Sequence, residues 1–390
     1  MTGEAICYIP LNMHPGLNRI KALDGLRTVA VLGVLWTHVW MFFDNIPWKI
    51  GPVDINRVIS IGRNGVDLFF VISGFCMYLM YHKKAANFSL ENYTSFLYKR
   101  WRRIAPAFYV LIALETVLYL ARTCIFPTSN FLGHLFFVNI FLSKNVFSPH
   151  YWSLATEWHF YLVLPLIFLF SKNSTRVISN TFIIILVSLV FRVFLFYIHR
   201  DNLVAKITVN SDAVWFRFAE FGFGIIAAVR YINGYKLPAI LSGTLGFILA
   251  FMIAYAGRIC MLTEFILKFG EYAFMIRALG EPLMTLGFAL ILYNVITSES
   301  IFSKVLESRP FLFIGKISYS MYLWHWIIAT LVSNLIIDKF GMNLWGFNAA
   351  VLLSFIVAIP VSWISYQLLE APYFKKASTP MAKEPVIAVK

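Results

Sequence analysis

Charge is scarce in this chain, and that scarcity excludes an ordinary soluble fold. Only 13% of the 390 residues are charged, against roughly 25% in a typical soluble domain. Cysteine is sparse as well. Cys7, Cys76, Cys124 and Cys260 show neither metal-ligand nor C-x-x-C spacing, so no metal is expected. Cys76 reads as an inert membrane cysteine, while Cys124 and Cys260 are placed to share a compartment. Internal repeats, low-complexity runs and long polar insertions are absent, which points to one membrane domain. Residues 1–20 are polar and mixed rather than signal-peptide-like, so the first apolar span is expected to act as an uncleaved anchor.

What is abundant is apolar surface. Hydrophobic residues make up 59% of the chain, including 38 Phe, 19 Tyr and 11 Trp, and the mean hydropathy is +0.73. Aromatic residues in such numbers suit lipid-facing surfaces and interfacial belts. The expected fold is all-α, a polytopic membrane protein in a lipid bilayer. The net charge of +14 raises the question of nucleic acid, but the basic residues fall in short loops between apolar spans. The cytoplasmic bias of such loops accounts for them, and no nucleic-acid partner is expected.

A helical span needs about 20 mostly apolar residues. Candidates start near residues 27, 64, 104, 151, 178, 212, 237, 277, 317 and 346, giving ten. The apolar piece 131–142 has only 12 residues and reads as interfacial or re-entrant. Ten spans with the N-terminus inside put 20 of the 33 lysines and arginines on inner segments and 11 on outer ones. This asymmetry predicts cytoplasmic termini. The organisation expected is a cytoplasmic tail at 1–20, a transmembrane domain at 21–372 and a basic cytoplasmic tail at 373–390.

Polar residues inside the spans are the candidate functional groups. Arg27 and His38 stand eleven residues apart in RTVAVLGVLWTH. Eleven helical steps of roughly 100° return to within about 20° of one face, about 16 Å further along the axis. Ionisable groups in hydrocarbon are costly and usually face a polar cavity, so the pair proposes a site. The competing reading is a helix-end anchor plus a histidine bonded to a neighbouring helix. GRNGVDLFFVISGF brings Asp67, suited to a helix N-terminus, and the small pair Ser73-Gly74, suited to close packing. KRWRRIAP sets Arg102 and Arg103 at the membrane edge, where they would grip either lipid headgroups or a phosphate ligand. HYWSLATEWHFYLVLP carries His150, Glu157 and His159, and a carboxylate entering the membrane needs a partner or a function. Arg217 and Glu220 form an i, i+3 pair that can neutralise itself. GKISYSMYLWHW places Lys316 at an inner helix end and His325 near mid-membrane, where a helix–helix hydrogen bond competes with a chemical role. The inner groups are Arg27, Arg102, Arg103 and Lys316, and His38, Asp67, His150 and Glu157 lie deeper or outside. That gradient suits a ligand with phosphates at one end and a reactive group at the other.

Five of these blocks, LDGLRTVAVLGVLWTH, GVDLFFVISGF, KRWRRIAP, WSLATEWHFYL and GKISYSMYLWHW, occur in this order with a closing LLEAPYF. Over residues about 20–372 the chain resembles the acyltransferase 3 family of bacterial membrane proteins. The resemblance implies ten membrane helices in the inner (cytoplasmic) membrane. It also implies transfer of an acyl group, usually acetyl from acetyl-CoA, to hydroxyls of lipopolysaccharide O-antigen, exopolysaccharide, another glycan or lipid-linked saccharide, or a small molecule. The family's Arg-x10-His motif falls on Arg27 and His38, its arginine-rich element on Arg102 and Arg103, and its WSLxxE element on Glu157. His159 stands where relatives often carry Gln, and Ala155-Thr156 replaces a common Ser-Val, which bears on acceptor preference. Some relatives add an SGNH hydrolase-like domain; here any second transfer step is expected to need another protein.

The mechanism expected combines both lines. Arg27, Arg102, Arg103 and Lys316 hold the phosphates of acyl-CoA. His38 removes the proton of the acceptor hydroxyl, since an imidazole pKa near 6.5 suits that task at neutral pH. Glu157 or Asp67 orients the imidazole. Direct attack and an acetyl-imidazole relay fit equally, and His150, His325, Arg217 and Glu220 are secondary candidates. A secondary transporter, which usually shows paired repeats, and a non-catalytic glycan-export component are the other classes to exclude.

Overall fold

A computed structural model of the chain describes residues 20–85, 89–142, 144–169, 173–198, 213–262 and 267–372, with Ser171 and Phe265. Of the expected tails at 1–20 and 373–390, all but residue 20 lies outside the described residues. Fourteen helices of the α type are used below. They are α1 (Lys21–Phe42), α2 (Ile55–Ile59), α3 (Gly65–Ala85), α4 (Leu90–Thr123), α5 (Thr128–Leu135), α6 (Trp152–Leu169), α7 (Ser174–Ile198) and α8 (Phe218–Ile232). They continue with α9 (Gly243–Ile259), α10 (Ala273–Thr297), α11 (Ile301–Leu306), α12 (Arg309–Lys316), α13 (Ser318–Phe340) and α14 (Leu344–Ser365). A two-residue hairpin, β1 (Lys49–Ile50) paired antiparallel with β2 (Val53–Asp54), follows α1.

Ten of these helices overlie the ten expected spans. Among the described residues seven stretches, Lys21–Phe42, Ile55–Met80, Leu90–Thr123, Ser174–Leu195, Ala273–Thr297, Ser318–Phe340 and Leu344–Glu370, are long and apolar enough to cross a membrane. The helices α6, α8 and α9 have 18, 15 and 17 residues, short of the roughly 20 that a full crossing takes. The segment 131–142 folds as α5 and one tight turn at Asn139–Phe141. Eight helical residues span only about 12 Å, so α5 is too short to cross.

The longest departure from expectation is α4. It begins at Leu90, capped by Ser89, whose Oγ accepts the Asn92 amide at 3.1 Å. The arginines therefore sit within a continuous helix rather than at its start. Pro106 is tolerated in its interior, and the Ile104 carbonyl two residues earlier accepts the Tyr319 hydroxyl at 2.7 Å.

Glycines bring α3 and α8 into close contact. A Cβ added at Gly74 would lie 2.1 Å from the Phe221 carbonyl oxygen, and one added at Gly224 would lie 2.1 Å from that of Val71. Only glycine lets α3 and α8 approach so nearly. In a bilayer, where burial of apolar surface gives little net drive between helices, such contact supplies the packing energy.

Candidate active site

The stripe Cys76, Ser73, Phe69 on α3 organises the site, since positions i, i+4 and i+7 share one helix face. Each meets a different partner. Cys76 Sγ lies 3.5 Å from Arg27 Nη2. Ser73 Oγ donates to Glu157 Oε1 at 2.8 Å. The Phe69 ring meets Tyr322 edge-on, centroids 6.0 Å apart. Between these groups runs a cavity of about 90 Å³, also lined by Arg103, Ser153, Tyr161 and Tyr319. The seven residues from Cys76 to Phe69 cover about 10 Å, so the cavity grades from guanidinium groups to a hydroxyl-lined end.

Arg27 is buried and ion-paired with Asp24 one turn earlier on α1, Nη1 to Oδ1 2.8 Å. That pairing lowers the cost of holding a cation inside the bundle. Glu157 accepts a second hydrogen bond from the Tyr161 hydroxyl. Ser73 is thus a hydrogen-bonding member of the cavity wall as well as a small packing residue, and Cys76 lines the cavity beside Arg27.

His38 lies just beyond this cavity, in the last two turns of α1. Its Nδ1 is 3.0 Å from His325 Nε2 on α13, and the rings stack with centroids 4.9 Å apart. Trp326 closes on the His38 ring edge-on at 5.0 Å. His150, in the turn before α6, packs its ring edge-on against His325 at 4.5 Å. His325 and His150 are 0% and 4% exposed, while His38 is half-buried. Tyr322 links the cavity to this trio: its hydroxyl bonds Ser153 Oγ at 2.6 Å and the His150 carbonyl at 3.0 Å.

Several expectations need correction. Neither Glu157 nor Asp67 orients His38; the ring that bonds it is His325. His38 and Arg27 do not line one shared cavity, because Tyr322 and Ser153 stand between the cavity and the histidines. Of the arginine pair only Arg103 lines the cavity. Arg102 rests its guanidinium over the Tyr98 ring at 5.7 Å, because adjacent residues on a helix point about 100° apart. Lys316 also lies off the cavity wall, over the Tyr366 and Trp363 rings at 5.3 and 6.0 Å.

Asp67, Arg217 and Glu220 belong to a separate buried cluster. Arg217 Nη1 is 2.9 Å from Asp67, 3.2 Å from Glu220 and 3.2 Å from Glu281. Asn64 adds a hydrogen bond to Asp67 at 2.9 Å. Arg192 forks onto both oxygens of Glu281. The three carboxylates come close enough to hold a metal ion, but the Arg217 guanidinium already occupies their common centre. The i, i+3 pairing of Arg217 with Glu220 therefore exists, as part of a lattice of charges joining α3, α7, α8 and α10.

Sequence reasoning passed over Glu115 and Glu281. Glu115 accepts from the Ser148 amide at 2.8 Å and the Tyr151 hydroxyl at 2.8 Å, pinning the turn that carries His150 onto α4. The rule applied to Glu157, that an intramembrane carboxylate needs a partner or a function, would have found both. His134 on α5 packs in the same wall. Burial pushes its imidazole down to about 4, against the Asn130 carbonyl, so the ring is a neutral packing group at neutral pH.

A helical membrane bundle with a guanidinium-lined cavity beside a buried imidazole pair fits the membrane acyl-transfer class. Residues 20–367 match the acyltransferase domain of that class, and the chain belongs to the acyltransferase 3 family. It is 28% identical to the O-acetyltransferase OatA of Staphylococcus aureus strains NCTC 8325 / PS 47, COL and MRSA252, with 92% of this chain aligned in each case. The chain covers 57% of the length of these relatives. No solved structure matches it significantly.

Proposed function

We propose that this protein is an O-acyltransferase of the bacterial inner membrane, moving an acetyl group from cytoplasmic acetyl-CoA to a hydroxyl of a surface glycan or lipid-linked saccharide. The cavity that carries Arg27 and Arg103 at one end and reaches the His38–His325 pair through Tyr322 is the observation behind this reading. The two guanidinium groups suit the phosphates of the donor. The Cys76–Ser73–Phe69 stripe offers a path for the pantetheine arm, with Ser73, Glu157 and Tyr161 as polar contacts. His38 takes the proton of the acceptor hydroxyl as its oxygen attacks the thioester carbon. The new C–O bond forms, the C–S bond breaks, and the proton passes to the departing CoA sulfur. Lys316 and Arg102 guide the donor toward the cavity mouth rather than gripping it inside.

Ten crossings with both termini cytoplasmic fit this chemistry, because they put Arg27 and Arg103 on the inner side and His38 toward the outer. The ten helices at the expected positions and the 20-to-11 distribution of basic residues support that topology.

The test is acetyl content of surface glycans, by mass spectrometry, from cells producing the native chain or His38→Ala at matched levels. The substitution should lower acetylation by about 10²–10⁴-fold, the usual contribution of a general base. Equal acetylation with and without the native chain would overturn the acyltransferase reading.

A further inference from the structure

We infer that His325 is a positioning residue for His38, holding it in the tautomer whose lone pair is on Nε2. The inference rests on the reading of His38 as the base and goes beyond it by naming the reacting atom and what fixes it.

The assignment follows along a chain of hydrogen bonds. His325 Nδ1 lies against the carbonyl oxygen of Tyr322, one turn earlier on α13. A carbonyl oxygen only accepts, so Nδ1 carries the hydrogen. A neutral imidazole protonated at Nδ1 has its lone pair at Nε2, so His325 is an acceptor there. The group it faces at 3.0 Å is His38 Nδ1, which must therefore donate. His38 then has its hydrogen on Nδ1 and a free lone pair on Nε2. Among the three clustered rings, His38 alone keeps partial exposure, so the free lone pair belongs to the ring a substrate can reach.

Packing makes the arrangement rigid. The Tyr322 backbone that anchors His325 is held in turn, since its side-chain hydroxyl bonds the His150 carbonyl and Ser153. Trp326 and His150 close on the two rings edge-on.

A neutral imidazole is also a suitable orienting group here. A carboxylate in that place would add a charge inside the bundle, at the cost of desolvating it. When His38 takes the acceptor hydroxyl's proton on Nε2, its Nδ1–H bond to His325 becomes charge-assisted and strengthens. His325 thereby stabilises the imidazolium as it forms, and the proton on Nε2 remains available for the departing CoA sulfur. The hydrogen on His38 Nδ1 stays in place throughout, and none passes to His325.

The experiment has two arms. The full chain, labelled with 15N-histidine and reconstituted in phospholipid vesicles, is examined by solid-state NMR at neutral pH. His38 should show a protonated Nδ1 and an unprotonated Nε2, and His325→Phe should redistribute the His38 proton between both nitrogens. In cells at matched protein levels, His325→Phe should lower glycan acetylation by about 10- to 10³-fold, the range expected when a base loses its fixed tautomer. His325→Gln, whose side-chain carbonyl can accept near the position of Nε2, should recover most of that loss. A wild-type His38 protonated at Nε2 would overturn the inference, as would a His325→Phe variant with an unchanged His38 spectrum. Full acetylation by His38→Ala would instead sink the base reading and leave the tautomer assignment standing.

Discussion

Arg102 and Arg103 are neighbours in sequence and carry the same charge, yet only one borders the cavity. Arg103 lines it beside Arg27, while Arg102 lies over Tyr98. A charge-assisted contact to a phosphate is worth about 1–3 kcal/mol, and a half-buried cation a helix face away contributes far less after screening. Arg103→Ala should therefore weaken acetyl-CoA binding by about five- to hundredfold, whereas Arg102→Ala should change it by less than about threefold. Titration calorimetry of the purified variants decides the matter, and equal effects would mean that the cavity does not take the donor's phosphates. The Arg217 cluster behaves differently at this scale. Its two guanidinium groups bridge three buried carboxyl groups, so removing Arg217 would leave buried acids without their cation, at a cost of about 3–5 kcal/mol. Arg217→Ala should therefore lower the thermal midpoint of the detergent-solubilised protein.

Among the elements, α3 carries the most information. One of its faces presents Cys76, Ser73 and Phe69 to the cavity, and another packs Gly74 against α8. Added atoms at Gly74 meet the Phe221 carbonyl, which is backbone and has little room to move. Overpacking of that kind costs about 1–3 kcal/mol. Gly74→Ala should lower the thermal midpoint of the detergent-solubilised protein by several degrees, and Gly74→Leu should lower the yield of folded protein. An unchanged melting curve for both would show that α3 and α8 pack less closely than described. The helix α4 shows how an element can misplace a motif. Its apolar run begins near residue 104, but the helix begins at Leu90. Capping by Ser89, rather than hydropathy, sets where a helix starts.

For the whole molecule the decisive question is how many helices cross. Among the described residues seven qualify on length and hydropathy, and α6, α8 and α9 are shorter. Short apolar helices inside a bundle are accommodated by local thinning and by neighbours that cover their ends. With all ten crossing, reporter fusions after residue 145 and after residue 390 should report outside and inside, respectively. A C-terminal reporter on the outside would require either an odd number of crossings, which keeps the depth order of Arg27 and His38, or an outside N-terminus, which reverses it.

The sequence alone determined the solvent, the helical class, the family and the approximate places of ten apolar helices, seven of them long enough to cross a membrane. Composition and hydropathy are sums over local residues, and a motif such as Arg27–x10–His38 is carried by one helix. It also drew attention to most of the polar residues that matter, because an ionisable group among apolar neighbours stands out in one dimension. Tertiary structure decided their partners. Glu157 meets Ser73 and Tyr161 on two helices, Asp67 meets Arg217 across 150 positions, and His38 meets His325 across 287. No local pattern encodes those distances, since they depend on which helix faces pack together. The carboxylates expected at His38 proved to be bonded elsewhere, and a second histidine took their place. A buried imidazole finds whichever neutral acceptor the packing of α1 against α13 brings within reach, and only the assembled bundle fixes which one that is.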